Sequence, residues 1–153
     1  MQDTNIAILV DRLMRRIHGG IHARAKEFDT ENVGPGGGMI LLTLADIEPA
    51  PVQSIARLMA RDKSQMTRAI KSLEGKGLID RSSEASDARI SLLRLTDKGQ
   101  RTVERIQKAL TTVISEILDP LQADEKTTLE QLLESVDPCS GRSESYTTRR
   151  SNG

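Results

Sequence analysis

The chain has 153 residues and balances 22 Lys/Arg against 22 Asp/Glu, so its formal net charge is zero. Aromatic residues are 1% of the chain and charged residues 29%, which excludes an aromatic-rich β-sandwich core and favours helices packed through Leu, Ile, Val, Met and Ala. The one cysteine, Cys139, excludes an intrachain disulfide framework and a multi-cysteine metal site.

No apolar run approaches the ~20 residues needed to span a bilayer. The N-terminus lacks the apolar core and small-residue cleavage site of a signal peptide. A cytoplasmic protein with no membrane partner is expected.

Apolar residues at spacings of three and four, Ile6, Leu9, Leu13, Ile17 and Ile21, predict a long first helix over about 4–28. Gly19-Gly20 is expected to kink or loosen it. His18 and His22 stand four apart on one face, a spacing open to metal ligation, but a surface or half-buried pair is the plainer reading and no metal is assigned. The segment Gly34 to Met39, GPGGGM, is expected to be a breaker and linker. No Gly-Lys-Ser/Thr follows it, so it is not a phosphate-binding loop.

A second helix is predicted over about 38–47, with Ile40, Leu41 and Leu44 inward and Pro49 and Pro51 beyond its end. A third covers about 52–59 with Val52, Ile55, Ala56 and Met59 on one face. Asp62, followed three residues later by Gln65, has the spacing of a capping box for a fourth helix. That helix buries Met66, Ala69, Ile70 and Leu73 and stops at Gly75 and Gly77.

Two antiparallel strands are predicted over about 78–82 and 90–95, joined by a polar loop. Thr96 then caps a long helix carrying Val103, Ile106, Leu110, Val113, Ile117 and Leu121, which Pro120 ends or bends. A last helix over about 124–136 carries Leu129, Leu132, Leu133 and Val136. From Pro138 onward the sequence loses periodicity and is expected to be disordered. Both terminal regions are apolar along one side, with little else in a single copy to cover them. Packing against a second copy is the economical arrangement.

The zero net charge hides a segregation. Residues 57–101 hold 11 Lys/Arg and 6 Asp/Glu, a net of +5, and the remainder carries −5. The positive segment coincides with the fourth helix and the hairpin. Burying Met66, Ala69, Ile70 and Leu73 turns Ser64, Gln65, Arg68, Lys71 and Ser72 outward, as a helix entering a major groove requires. Gln65 suits adenine and Arg68 guanine, each bidentately. Lys63 and Lys71 suit phosphates, and Ser64 and Thr67, near the helix start, are placed to donate to them. Arg89 at the loop tip suits a minor groove, where the potential is most negative. Asp87, two residues earlier, is placed to orient its guanidinium.

At these residues the chain resembles the MarR-type winged helix-turn-helix transcription regulators. The likeness lies in DKSQMTRAIKSLEGKGLI (Asp62 to Ile79), SDAR (Ser86 to Arg89) and LTDKG (Leu95 to Gly99). It includes Thr67-Arg68 in the recognition helix, the Asp87-Ala88-Arg89 wing signature and the Leu-Thr-x-x-Gly that leads into the helix after the wing.

The resemblance implies a mainly α fold with a small β-wing. It implies one domain over 1–137, with a DNA-binding winged helix at about 38–98 and dimerisation helices at about 4–30 and 97–136. It further implies a homodimer on double-stranded DNA with a palindromic operator, usually acting as a repressor released by a small-molecule effector.

Two positions depart from the family's pattern: GPGGG opens the second helix, and Ala60 stands where the helix-helix turn often has glycine. Cys139 lies in the tail, away from the first helix, and is not assigned as an oxidant sensor. No cofactor fingerprint or His-carboxylate motif supports an enzyme. The alternative is a winged-helix protein-interaction module that binds no DNA.

Overall fold

The structure is a computed structural model that describes residues 1–83, 86–87 and 89–137. Cys139 and the rest of the predicted tail lie outside the described residues, as do Glu84, Ala85 and Ala88 of the wing loop. Six helices and one hairpin follow in the order α1 (Gln2–Phe28), α2 (Gly34–Ile47), α3 (Val52–Leu58), α4 (Lys63–Gly75), β1 (Ile79–Ser83), β2 (Ser91–Leu95), α5 (Asp97–Ile117) and α6 (Ala123–Val136). The chain divides into two compact units, Met1–Ile114 and a second beginning at Ser115.

Within the first unit, α2, α3 and α4 surround one core. Ile40, Leu41 and Leu44 of α2, Ile55 of α3, and Met66, Ile70 and Leu73 of α4 are all buried. Leu78, Ile79, Leu93, Val103 and Ile106 close it from the hairpin and α5. Burying a side chain of this size contributes roughly 1.5–3 kcal/mol. The fold therefore rests on the helical periodicity that places these residues on facing sides.

Three expectations are corrected. The glycine pair does not interrupt α1, which runs unbroken through Gly19 and Gly20. Gly20 is instead a close-approach site: a Cβ there would stand 2.7 Å from Cγ1 of Val113 on α5, whereas one at Gly19 would meet nothing within 4 Å. Likewise, GPGGGM is not a linker, because α2 begins at Gly34 with Pro35 in its first turn. Proline is tolerated there, since its missing N–H has no intrahelical acceptor. The Asp29 carboxylate accepts from the amides of Val33 (2.9 Å) and Gly34 (3.0 Å), capping the helix from a residue upstream of the glycine run. Gly34 has φ +70 at this start, which glycine adopts without strain. Finally, Asp62 occupies the N-cap of α4 in extended conformation but makes no side-chain cap bond, so the predicted capping box is not formed.

Other signals hold. Glu48, just before Pro49, leaves helical geometry with ψ 141, as the residue before a proline should. The Thr96 hydroxyl accepts from the Gly99 amide at 3.0 Å and donates to the Gly77 carbonyl at 2.6 Å, capping α5 and tying it to the end of the α4 turn. Gly99 has its own reason to be glycine: a Cβ would sit 2.0 Å from the Leu78 carbonyl oxygen.

The hairpin is antiparallel, with Ile79 opposite Leu95 and Ser83 opposite Ser91. Ala50 adds a bridge to Leu93, exchanging backbone bonds of 3.2 and 2.8 Å. A single bridged residue between two prolines has no alternation, and the sequence reading does not find it.

Ala60 resolves a departure noted above. Its φ is +49, so the turn between α3 and α4 adopts the left-handed conformation that favours glycine although the residue carries a Cβ.

In the second unit, the Glu125 carboxylate accepts from the Gln122 amide at 2.7 Å, fixing the start of α6. No residue of α6 is buried, and Leu132, Leu133 and Val136 are exposed. In the first unit α1 also buries no residue, and Ile6, Leu9, Val10 and Leu13 are exposed along it.

Candidate nucleic-acid interface

The period of α4 divides its residues cleanly. Met66, Ile70 and Leu73 are buried and Ala69 is half-buried, while Lys63, Ser64, Gln65, Thr67, Arg68, Lys71 and Ser72 are all exposed. All seven candidate residues of the helix thus share the surface away from the core. The core stripe fixes the roll of α4, so the direction of Arg68 is set by three side chains on the opposite face.

The first turn is open electrostatically. With no side-chain cap from Asp62, the N-terminal amides keep the unsatisfied donor character that suits an anionic oxygen. Thr67 differs from expectation: its hydroxyl donates to the Lys63 carbonyl at 2.8 Å, so it offers lone pairs outward rather than a proton.

On the wing, the Asp87 carboxylate accepts from three donors of Arg89: the backbone amide at 3.0 Å, Nε at 3.1 Å and Nη2 at 3.4 Å. The guanidinium remains free on its outer side, for the Arg89 side chain is 91% exposed. The backbone amide of Arg89, and then its guanidinium, hold the Asp87 carboxyl below its ordinary pKa. Asp87 therefore stays anionic throughout the neutral range and keeps Arg89 oriented.

Not every cation of the +5 segment belongs to this surface. Lys76 Nζ donates to the carbonyls of Glu31 (2.8 Å) and Asn32 (2.7 Å), fastening the end of α4 to the loop after α1. Lys98 pairs with Glu31 at 3.0 Å and donates to the Lys76 carbonyl, also at 3.0 Å. Arg81 pairs with Glu74. These three hold the scaffold together. Arg57 and Arg61, near the α3–α4 turn, are exposed cations outside the predicted set; their signal was the local charge excess, which names no single residue.

His18 and His22 are exposed on α1. Among the described residues no three His, Cys, Asp or Glu side chains converge as metal ligands, and no helix is long and apolar enough to cross a membrane.

Residues 37–91, from within α2 to the start of β2, match the model of the MarR family. The uncharacterized HTH-type transcriptional regulator YdgJ of Bacillus subtilis is 36% identical over 72 residues, which are 47% of this chain and 44% of that protein. The uncharacterized HTH-type transcriptional regulator YxaD of the same organism is 28% identical over 135 residues, covering 88% of this chain and 94% of that one. The structure of the transcriptional repressor CouR bound to a 23-mer DNA duplex superposes with a TM-score of 0.66 at 25% identity, over 84% of this chain and 89% of that chain. Residues 37–91 thus carry a segment that matches the MarR family, and the fold around it, with β1–β2 as its wing, is the winged helix of the transcriptional regulators that the chain is similar to. Members of this family are regulators and not enzymes.

Proposed function

We propose that the protein is a homodimeric, sequence-specific repressor that binds a palindromic operator through two copies of α4 and the wing, and that a small-molecule effector releases it. The observation that carries DNA recognition is the placement of Lys63, Ser64, Gln65, Arg68, Lys71 and Ser72 on the solvent side of a helix locked from behind by Met66, Ile70 and Leu73. Arg68 and Gln65 read base edges, and Lys63, Lys71, Ser64 and Ser72 hold phosphates. Arg89, oriented by Asp87, enters the flanking minor groove.

The dimer is supported by the exposed apolar residues of α1 and α6, which leave two long faces uncovered in one copy. In this reading residues 38–98 bind DNA, and residues 4–30 and 97–136 dimerise. Repression rests on the likeness to the transcriptional repressor CouR, and response to a small molecule on the likeness to the PcaV transcriptional regulator of Streptomyces coelicolor, whose structure holds its natural ligand. Action on chromosomal DNA places the protein in the cytoplasm.

The test is a binding assay of the intact chain on randomised duplexes at low salt, followed by selection of the bound sequences. Recovery of two inverted half-sites about 34–36 Å apart supports the proposal. A chain that binds no duplex at low salt is a protein-interaction module instead.

A further inference from the structure

The glycines that open α2 have separate causes. Gly34 has φ +70. A Cβ on Gly37 would stand 3.1 Å from Cβ of Val33, and one on Gly38 would stand 3.6 Å from Cδ1 of Ile106. Gly36 meets no core atom. Outside its own turn of helix, the one atom of the described residues within 4 Å of its Cβ position is Nη1 of Arg61, at 3.6 Å. The guanidinium of Arg61 therefore lies over the bare backbone of Gly36. Its root is fixed as well, because the Arg61 amide donates to the Ala56 carbonyl at 3.0 Å and closes the α3–α4 turn. Lys63 opens α4 two residues later. Arg61 is exposed, and neither Asp62 beside it nor any other described carboxylate pairs with it. Lys76, Lys98 and Arg81 have anionic or carbonyl partners within the protein. Arg61 is held at both ends and has none.

We propose that Arg61 is a phosphate clamp of the DNA-binding surface, positioned by Gly36, and that it engages the duplex backbone beside the base pairs that α4 reads. This deepens, and rests on, the DNA-recognition reading above. Base contacts come from the recognition helix itself, and Arg61 stands before that helix, in the turn. Its anion is then a backbone oxygen, and its contribution is the same on every sequence. The planar guanidinium suits this placement: one edge rests over Gly36 while the others remain open to a phosphate. Alanine at position 36 still leaves room, since 3.6 Å is an ordinary van der Waals distance. A longer side chain there would take the space of the guanidinium and turn it away. The glycine at position 36 and the cation at position 61 are thus one device, built from two segments of the chain that the sequence does not connect.

The experiment uses the full chain and measures affinity for randomised and selected duplexes between about 50 and 200 mM salt. The variants are Arg61→Ala, Gly36→Ala, Gly36→Leu and the double variant Gly36→Leu with Arg61→Ala, and urea melts verify that each is folded. Arg61→Ala is expected to weaken binding by the same factor on every duplex. It should lower the slope of log affinity against log salt by about 0.9 for each bound protomer and leave the selected sequence unchanged. Gly36→Leu should reproduce most of that loss, and Gly36→Ala should stay within about twofold of the intact chain. Added to Arg61→Ala, Gly36→Leu should change affinity by less than about twofold, because the group it displaces is already gone. An Arg61→Ala protein with unchanged affinity and slope overturns the clamp while leaving recognition by α4 standing. Relaxed preference at one base pair makes Arg61 a base reader and overturns the phosphate assignment. A Gly36→Leu change that leaves affinity intact, or that costs as much with Arg61→Ala as without it, overturns the positioning by Gly36. Arg61→Ala removes an exposed side chain with no internal ion pair, so it decides the clamp even where Gly36→Leu does not fold. An intact chain that binds no duplex at low salt overturns the DNA reading itself.

Discussion

Arg89 is fastened to Asp87 by three hydrogen bonds, one through its backbone amide and two through its guanidinium, at 3.0, 3.1 and 3.4 Å. The aspartate thereby shapes the wing tip and aims the cation at once. Because Arg89 lowers the Asp87 pKa, the sign of the pH dependence follows. The interaction is fully present above the ordinary carboxylate range and is lost only as pH falls through the lowered value. DNA affinity should therefore show no loss from the wing between pH 8 and pH 5, a window that lies above the ordinary carboxylate pKa of about 4. Arg89→Ala should weaken binding to every sequence, most on A·T-rich flanks, and Asp87→Ala should reproduce part of that loss. An Arg89→Ala protein with unchanged affinity on all duplexes would remove the wing from the interface.

The glycines of the helices separate into free and packed ones, and alanine substitutions should reveal which is which. Gly19 faces open space, so Gly19→Ala should stabilise the protein by about 0.5–1 kcal/mol through helix propensity. Gly99 meets the Leu78 carbonyl oxygen, and Gly99→Ala should destabilise by about 1–3 kcal/mol despite the same gain in propensity. Urea melts of the two variants check both signs.

Ala60, at φ +49, strains the turn that presents α4. The left-handed conformation costs an L-residue roughly 1–2 kcal/mol, and glycine gives back part of the relief as unfolded-state entropy. Ala60→Gly should stabilise by about 0.5 kcal/mol, read as a small rise in melting temperature. A fall would mean that the Cβ of Ala60 contributes packing that outweighs the strain.

Salt dependence distinguishes cations that meet phosphate from those that build the scaffold. Lys71 is exposed on α4, so Lys71→Ala should lower the slope of log affinity against log salt by about one for each protomer's contact. Lys76 is bonded to the loop carbonyls of Glu31 and Asn32. Lys76→Ala should lower thermal stability and leave the slope unchanged. Equal slopes for the intact chain and Lys71→Ala would take Lys71 off the phosphate backbone.

The core and the recognition face were legible in the sequence because both follow one period. Met66, Ile70 and Leu73 recur at helical spacing, and once they are buried the outward positions follow by rotation alone. The Asp87-Arg89 pair was legible because two residues of separation leave little freedom. Features set by distant neighbours were not. Gly20 looked like a helix breaker, and its packing on Val113 involves a residue far along the chain. Gly34–Gly38 looked like a linker because the capping carboxylate, Asp29, lies before the glycine run rather than at its edge. The charge excess over residues 57–101 was read as a single surface. Side-chain geometry divides it, since Lys76, Lys98 and Arg81 turn to carbonyls and carboxylates of the scaffold.

In this reading α4 recognises DNA bases through Arg68, whose direction is fixed by the buried face behind it. Selection from randomised duplexes, run in parallel with the intact chain and Arg68→Ala and with helical content verified for both, tests it most directly. Two inverted half-sites are expected for the intact chain. For Arg68→Ala the expected outcome is an affinity loss of about 1–3 kcal/mol with relaxed preference at one base pair in each half-site. Identical selected sequences and equal affinities for the two proteins would contradict it.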